Sequence, residues 1–198
     1  MIKNDELRYK VYNNILTNEE CNYIIEQCTN FKESQTTKDK EDYNSHFRKS
    51  STAVFSSELK QITKLRSKLA KITNTTLEQQ ETPVSVIKYS QNEYFLPHMD
   101  AFGRMEKFPD PHAGDRLISG ILYLNDNYTG GETYFKSENI KIKGNQGDLL
   151  IWHNLNDDGS PNRKTLHAGL PVIEGDKFIV VMWVREKEFT QHFKKILI

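Results

Sequence analysis

The chain has 198 residues, with 27 basic and 27 acidic side chains that cancel to a formal charge of zero. That length suits one sizeable domain, and the balanced charge lacks the global positive field of a dedicated nucleic-acid binder, so no nucleic-acid partner is expected. No run of about 18 apolar residues is present to span a bilayer, and the start, MIKNDELRYK, is too charged for a secretory signal; a cytoplasmic protein with no membrane partner is the expectation.

In chain order, the first signal is LTNEECNYIIEQC, where Thr17 and Glu20 have the spacing of a capping box and Cys21, Ile24, Ile25 and Cys28 recur at helical intervals. This predicts an amphipathic helix starting near Thr17. Along such a helix the two cysteines lie roughly 10 Å apart, too far to bridge, and read as small core residues of a reduced compartment. The stretch KESQTTKDKEDYNSHFRKSS is polar and without periodicity, which predicts a long loop over about residues 34–52, a candidate lid. In SSELKQITKLRSKLAKIT, Leu59, Ile62, Leu65, Leu69 and Ile72 share one face opposite a solvated basic face, predicting a second helix.

From residue 84 the pattern changes to short β-rich runs between turn residues: VSVIKYS, RLISGILYLN, ETYF, IKI, GDLLIW and KFIVVMWV. Strands that follow one another without intervening helices form antiparallel sheets. The predicted fold is α+β: a jelly roll, or double-stranded β-helix, with the N-terminal helices packed on one sheet. Residues 1–198 read as a single domain, with 1–83 a mainly helical support plus flexible loop, 84–186 the catalytic core and 187–198 a C-terminal tail.

The apolar, aromatic stretch YFLPHMD ends on His98 and Asp100. On an extended strand, residues i and i+2 share a face, so this pair can present an imidazole and a carboxylate side by side. Two histidines and a carboxylate that leave three positions open form the facial site of non-haem Fe(II) oxygenases. Three later histidines compete for the third place. His112, in the proline-rich FPDPHAGD, reads as exposed, and for His153, at a strand end, a ligand role and an edge position compete. His167 is distinguished by Lys177, ten residues on and on the next strand. A cation there could hold the far carboxylate of an acid that chelates the metal.

His98-x-Asp100, Gly130-Gly131-Glu132-Thr133, GDLLIW, LHAGLPV, GDKF and the closing Trp183-x-Arg185-Glu186 keep one order along the chain. In this set the chain resembles the 2-oxoglutarate and Fe(II)-dependent oxygenases of the prolyl 4-hydroxylase type, most clearly from Tyr89 to Glu186, with a fainter echo in LTNEECNYIIE and FRKSSTAVF. The resemblance implies that His98, Asp100 and His167 are iron ligands and that Lys177, Tyr89 and Thr133 hold the distal carboxylate of 2-oxoglutarate. It places Arg116 and Trp183 on the side of a peptide substrate. It further implies hydroxylation of a C–H bond, foremost in a peptidyl proline, with release of succinate and carbon dioxide; Fe(II), 2-oxoglutarate, O2 and ascorbate as the reductant; and a proline-containing peptide or protein as partner.

Departures from the family pattern bear on the substrate. Relatives often read Tyr-x-x-Gly-Gln-x-Tyr before the HxD pair, whereas YSQNEYF puts Asn92 and Glu93 in place of Gly-Gln and Phe95 in place of the second tyrosine. A hydroxyl on the substrate side is thereby lost, and Phe95 becomes a candidate substrate-binding residue. Phe178 stands where tryptophan is common and Leu170 where cysteine is frequent. Another side chain or a small molecule is the alternative substrate, and a non-catalytic jelly-roll module binding metal or ligand is the alternative class.

Overall fold

The computed structural model describes residues 6–34, 47–55, 59–103 and 111–189. Its elements are, in order, β1 (Tyr9–Tyr12), α1 (Asn18–Glu26), β2 (Lys32–Glu33), β3 (Arg48–Lys49), β4 (Ser51–Phe55), α2 (Lys60–Thr73), β5 (Val84–Tyr89) and β6 (Tyr94–His98). There follow β7 (Arg116–Tyr123), β8 (Thr129–Gly130), β9 (Thr133–Phe135), β10 (Ile140–Ile142), β11 (Leu149–His153), β12 (His167–Gly169), β13 (Val172–Glu174) and β14 (Lys177–Arg185).

The helices form where their local chemistry demands. Thr17 Oγ1 accepts from the Glu20 amide at 3.3 Å while a Glu20 carboxylate oxygen accepts from the Thr17 amide at 3.0 Å, completing the predicted capping box at the start of α1. No side chain caps the start of α2, so its buried stripe of Ile62, Leu65, Leu69 and Ala70 holds it; full burial of one such large aliphatic group stabilises by about 1.5–3 kcal/mol. It stops where Asn74 turns left-handed at φ 53°.

A larger sheet runs β1-β11-β7-β14-β5-β4-β2 and a smaller one β10-β9-β12-β6-β3, with antiparallel pairing throughout both, beside a two-stranded β13-β8 ribbon. This is the predicted jelly roll. Period-two alternation splits the larger sheet into two faces. Val84 and Val86, Ile118 and Leu122, Leu149 and Ile151, and Val180, Met182 and Val184 join Cys21, Ile24, Ile62, Leu65 and Leu69 in one core between sheet and helices. The intervening residues, among them Ile87, Tyr89, Ile121, Tyr123, Leu150, Trp152 and Ile179, face the other way, into the space between the sheets. Every functional side chain contributed by the larger sheet lies on that inner face.

The region before residue 84 is less purely helical than expected: β1 to β4 lie in it and extend both sheets. These strands are two to five residues long and include Lys32–Glu33 and Arg48–Lys49, so they carry no alternating apolar signal. Their order comes from pairing with distant strands, β1 on β11 and β4 on β5. Of the predicted 34–52 lid, residues 35–46 lie outside the described residues, while 48–49 form β3 and 51–52 begin β4. Residues 190–198 of the expected tail are also outside them. Among the described residues no helix is long and apolar enough to cross a membrane.

Candidate active site

Strands β6 and β12 pair so that His98 and His167 stand directly opposite each other, with ring centroids 4.3 Å apart. Strand β6 ends at His98, so Asp100 reaches the same place from the bend just beyond rather than from the extended strand that the i, i+2 reasoning assumed. One donor atom from each of the three lies within 4.8 Å of the others. His98 Nε2 is 3.8 Å from Asp100 Oδ1, and His167 Nε2 is 3.9 Å from Asp100 Oδ2.

Backbone carbonyls set the tautomers. His98 Nδ1 lies 2.9 Å from the Leu96 oxygen and His167 Nδ1 lies 2.8 Å from the Thr165 oxygen. A carbonyl can only accept, so each Nδ1 carries a proton, and Nε2 is the ring nitrogen left to face a metal. Asp100 Oδ2 accepts from Ser119 Oγ at 2.6 Å, and Ser119 Oγ accepts from Asn154 Nδ2 at 2.8 Å, so the carboxylate is also oriented from behind. Burial, then the adjacent His167, pushes the His98 imidazole well below its usual range. Burial alone would raise Asp100, but His167, His98 and Arg116 outweigh it and hold the carboxyl low. Two imidazoles and one carboxylate with fixed orientations fit Fe(II) in a facial site.

A cleft with a cavity volume of about 50 Å³ opens between the sheets onto this triad, and Tyr89, Thr133 and Lys177 also line it. Lys177 is opposite Tyr89 across β14 and β5, and Thr133 is opposite Gly169 across β9 and β12. The Lys177 side chain is 2% exposed; its ammonium donates to the Gly131 carbonyl at 2.6 Å and faces the Tyr89 ring at 5.4 Å. No carboxylate among the described residues lies within ion-pair distance of it. Burial therefore pulls its pKa from 10.5 to about 8. Gly131, at φ 66°, makes the turn that presents this carbonyl. Thr133 Oγ1 lies 3.2 Å from the Tyr123 hydroxyl. Burial raises the pKa of Tyr89, against the pull of Arg48.

The remaining expected residues divide. Phe95 lines the cleft and stacks on His98 at 3.7 Å and 20°, and Trp183 also lines it. Arg116 is not on the wall: it makes a two-pronged ion pair with Glu81 at 2.8 and 2.9 Å, and its guanidinium carbon lies 3.6 Å from the centre of the Trp183 ring. Glu81 also accepts from the fully buried Arg185 at 2.9 Å. His112, exposed in a short turn, and His153, half-buried at the end of β11, are in neither triad nor cleft. Arg48, Ser119 and Trp152 were not singled out from sequence. Arg48 lines the cleft from β3, with its guanidinium 4.7 Å from the Phe95 ring, within the FRKSSTAVF stretch that carried the fainter resemblance. Strand alternation in RLISGILY and GDLLIW places Ser119 and Trp152 inward, but it does not say what they meet.

The 2OG-Fe(II) oxygenase superfamily model matches residues 84–185, more than half of the chain. The chain belongs to that superfamily. A protein of Acanthamoeba polyphaga mimivirus named as a prolyl 4-hydroxylase is 33% identical over 112 residues, which are 54% of this chain and 46% of that one. Prolyl 4-hydroxylase 5 of Arabidopsis thaliana is 26% identical over 207 residues, covering 93% of this chain and 70% of the relative. The chain thus spans under half the length of the mimivirus protein. Among solved structures, a viral collagen prolyl hydroxylase from Paramecium bursaria Chlorella virus-1, in complex with 2OG, matches with a TM-score of 0.72 at 25% identity over 90% of this chain and 96% of that one. Membership supplies Fe(II), 2-oxoglutarate and O2 as the group's chemistry, which the triad and the cleft of this 2OG-Fe(II) oxygenase fit.

Proposed function

We propose that this oxygenase hydroxylates a peptidyl proline, in the manner of a prolyl 4-hydroxylase, with release of succinate and carbon dioxide. The observation that carries the reading is a single cleft that holds a two-histidine, one-carboxylate triad together with a buried lysine that has no carboxylate partner among the described residues. A lone buried ammonium is unfavourable unless a ligand carboxylate completes it. His98, Asp100 and His167 would hold Fe(II), and Lys177, with Tyr89 and Thr133, would hold the distal carboxylate of 2-oxoglutarate. Bound together, iron and keto acid supply the oxidation; the protein orients the two and keeps water out.

The substrate side follows from what borders the triad. Phe95 and Trp183 offer flat apolar surfaces for a pyrrolidine ring, and Arg116 acts there by holding Trp183. The similarity to prolyl hydroxylases supports proline, and ascorbate would keep the iron ferrous. We read residues 1–198 as one oxygenase domain, with α1 and α2 supporting the larger sheet. Mass spectrometry of proline-rich peptides incubated with protein, Fe(II), 2-oxoglutarate and ascorbate tests the reading. A one-oxygen gain on proline, absent with His167→Ala, is expected. Steady 2-oxoglutarate consumption with no gain on any peptide would overturn proline as the substrate.

A further inference from the structure

Among the described residues, three side-chain N–H groups lining the cleft are buried without a hydrogen-bond partner: Arg48 Nη2, Trp152 Nε1 and Trp183 Nε1. The unpartnered buried carbonyl oxygens, on Gln61 and Asn154, do not line it. A buried donor with nothing to bond is costly and rare, so such a set, drawn from both sheets around one cleft, points to ligand oxygens arriving there. Of the three, Trp152 is the one set against the triad. It is 1% exposed and packs edge to face against the His167 ring at 4.8 Å and the Phe135 ring at 5.4 Å. Across β11 and β7 it is opposite Ser119, the residue that donates to Asp100. Its indole therefore packs on one proposed iron ligand, His167, and is the cross-strand partner of the residue that supports another, Asp100.

We propose that the Trp152 indole N–H donates to the keto-acid end of 2-oxoglutarate, at an oxygen of the C1 carboxylate. Trp152 then reads the end of the acid next to the metal, while Lys177 reads the far carboxylate, so one ligand is recognised at both ends by separate residues. A carboxylate is the strongest acceptor the cleft is expected to receive, and a donor in a dry site binds it better than it binds a neutral oxygen. The inference rests on the assignment of the cleft to 2-oxoglutarate.

The test is calorimetric binding with Mn(II) in place of iron, so that no turnover intervenes. Two ligands are compared, 2-oxoglutarate and 2-oxobutyrate, which keeps the keto-acid end and lacks the distal carboxylate. Trp152→Phe removes the N–H and keeps an aromatic ring; it is expected to weaken both ligands roughly tenfold. Lys177→Met is expected to weaken 2-oxoglutarate alone. Equal affinity of wild type and Trp152→Phe for 2-oxoglutarate would overturn the role of Trp152 and show that the N–H is spent on a neighbouring ring. Failure of the wild type to bind 2-oxoglutarate would instead remove the assignment of the cleft, and this inference with it. Should Trp152→Phe not fold, the wild type still decides. The chain has two tryptophans, so its Zn(II) form gives two indole N–H resonances, assigned with Trp183→Phe. Either keto acid should move the Trp152 signal downfield, and an unmoved signal would refute the bond.

Discussion

Replacing Lys177 by methionine keeps the length of the side chain and deletes its charge, and the structure gives the two consequences opposite signs. In the free protein the ammonium is buried with the Gly131 carbonyl at 2.6 Å and no carboxylate partner among the described residues, and burial lowers its pKa from 10.5 to about 8. A depression of that size corresponds to roughly 3 kcal/mol of unfavourable charge burial, relieved in the variant. Against this, the Gly131 carbonyl loses its donor, at a cost of about 1–3 kcal/mol. The two nearly offset, so Tm should move by less than about 5 °C. Binding of 2-oxoglutarate, in contrast, should lose a charge-assisted hydrogen bond of about 2–3 kcal/mol, or roughly 30–150-fold in Kd. Differential scanning calorimetry and Mn(II)-supported titration calorimetry measure the two numbers on one sample. A structural lysine would behave in the reverse way. An affinity within about threefold of wild type, or a Tm drop of more than about 10 °C, would refute the reasoning.

The same lysine sets a pH dependence. A bound carboxylate raises the depressed pKa, so 2-oxoglutarate affinity should be level below pH 8 and fall by up to about tenfold per unit from about 8 to 10.5, a slope absent in Lys177→Met. In that window the unfolded chain binds more protons at this group than the native one, so its contribution to ligand-free stability rises with pH; urea titrations at pH 7.5 and 9.5 should show the stability of wild type relative to Lys177→Met increasing at the higher pH. Ser119→Ala removes the donor to Asp100 and should weaken Mn(II) binding about 10–100-fold in competition with a chelator; unchanged affinity would show that the carboxylate needs no such support. Glu81→Gln leaves Arg116 and the fully buried Arg185 facing a neutral amide. It should cost about 3 kcal/mol, or roughly 6–12 °C in Tm, while Mn(II) affinity stays as it was.

The two helices were legible because their signals are local. Thr17 and Glu20 cap α1 within four consecutive residues, and the apolar stripe of α2 repeats within a single helix. The core strands were legible because each alternates or runs apolar by itself, as in RLISGILY and KFIVVMWV. The short polar strands were not: Arg48–Lys49 is ordered by Phe95 and Tyr94, more than forty residues away in the chain. Arg48 could not be placed in the cleft without that pairing. Arg116 shows the same limit for a side chain. The sequence allows a cation at the start of β7, but a charge goes where its partner is, and Glu81 lies 35 residues away, before β5.

By itself the amino-acid order determined which chemistry the chain carries. It spaces an imidazole and a carboxylate two residues apart, supplies a later histidine and lysine in family order, and assigns strand residues to alternate faces. Only the tertiary structure decided that His98 and His167 face each other, that Ser119 stands behind Asp100, and that Lys177 is buried in the same cleft with no carboxylate among the described residues paired to it. The reason is physical. Residue type and local period are properties of a short segment, whereas register, burial and the presence or absence of a partner depend on strands brought together from distant parts of the chain.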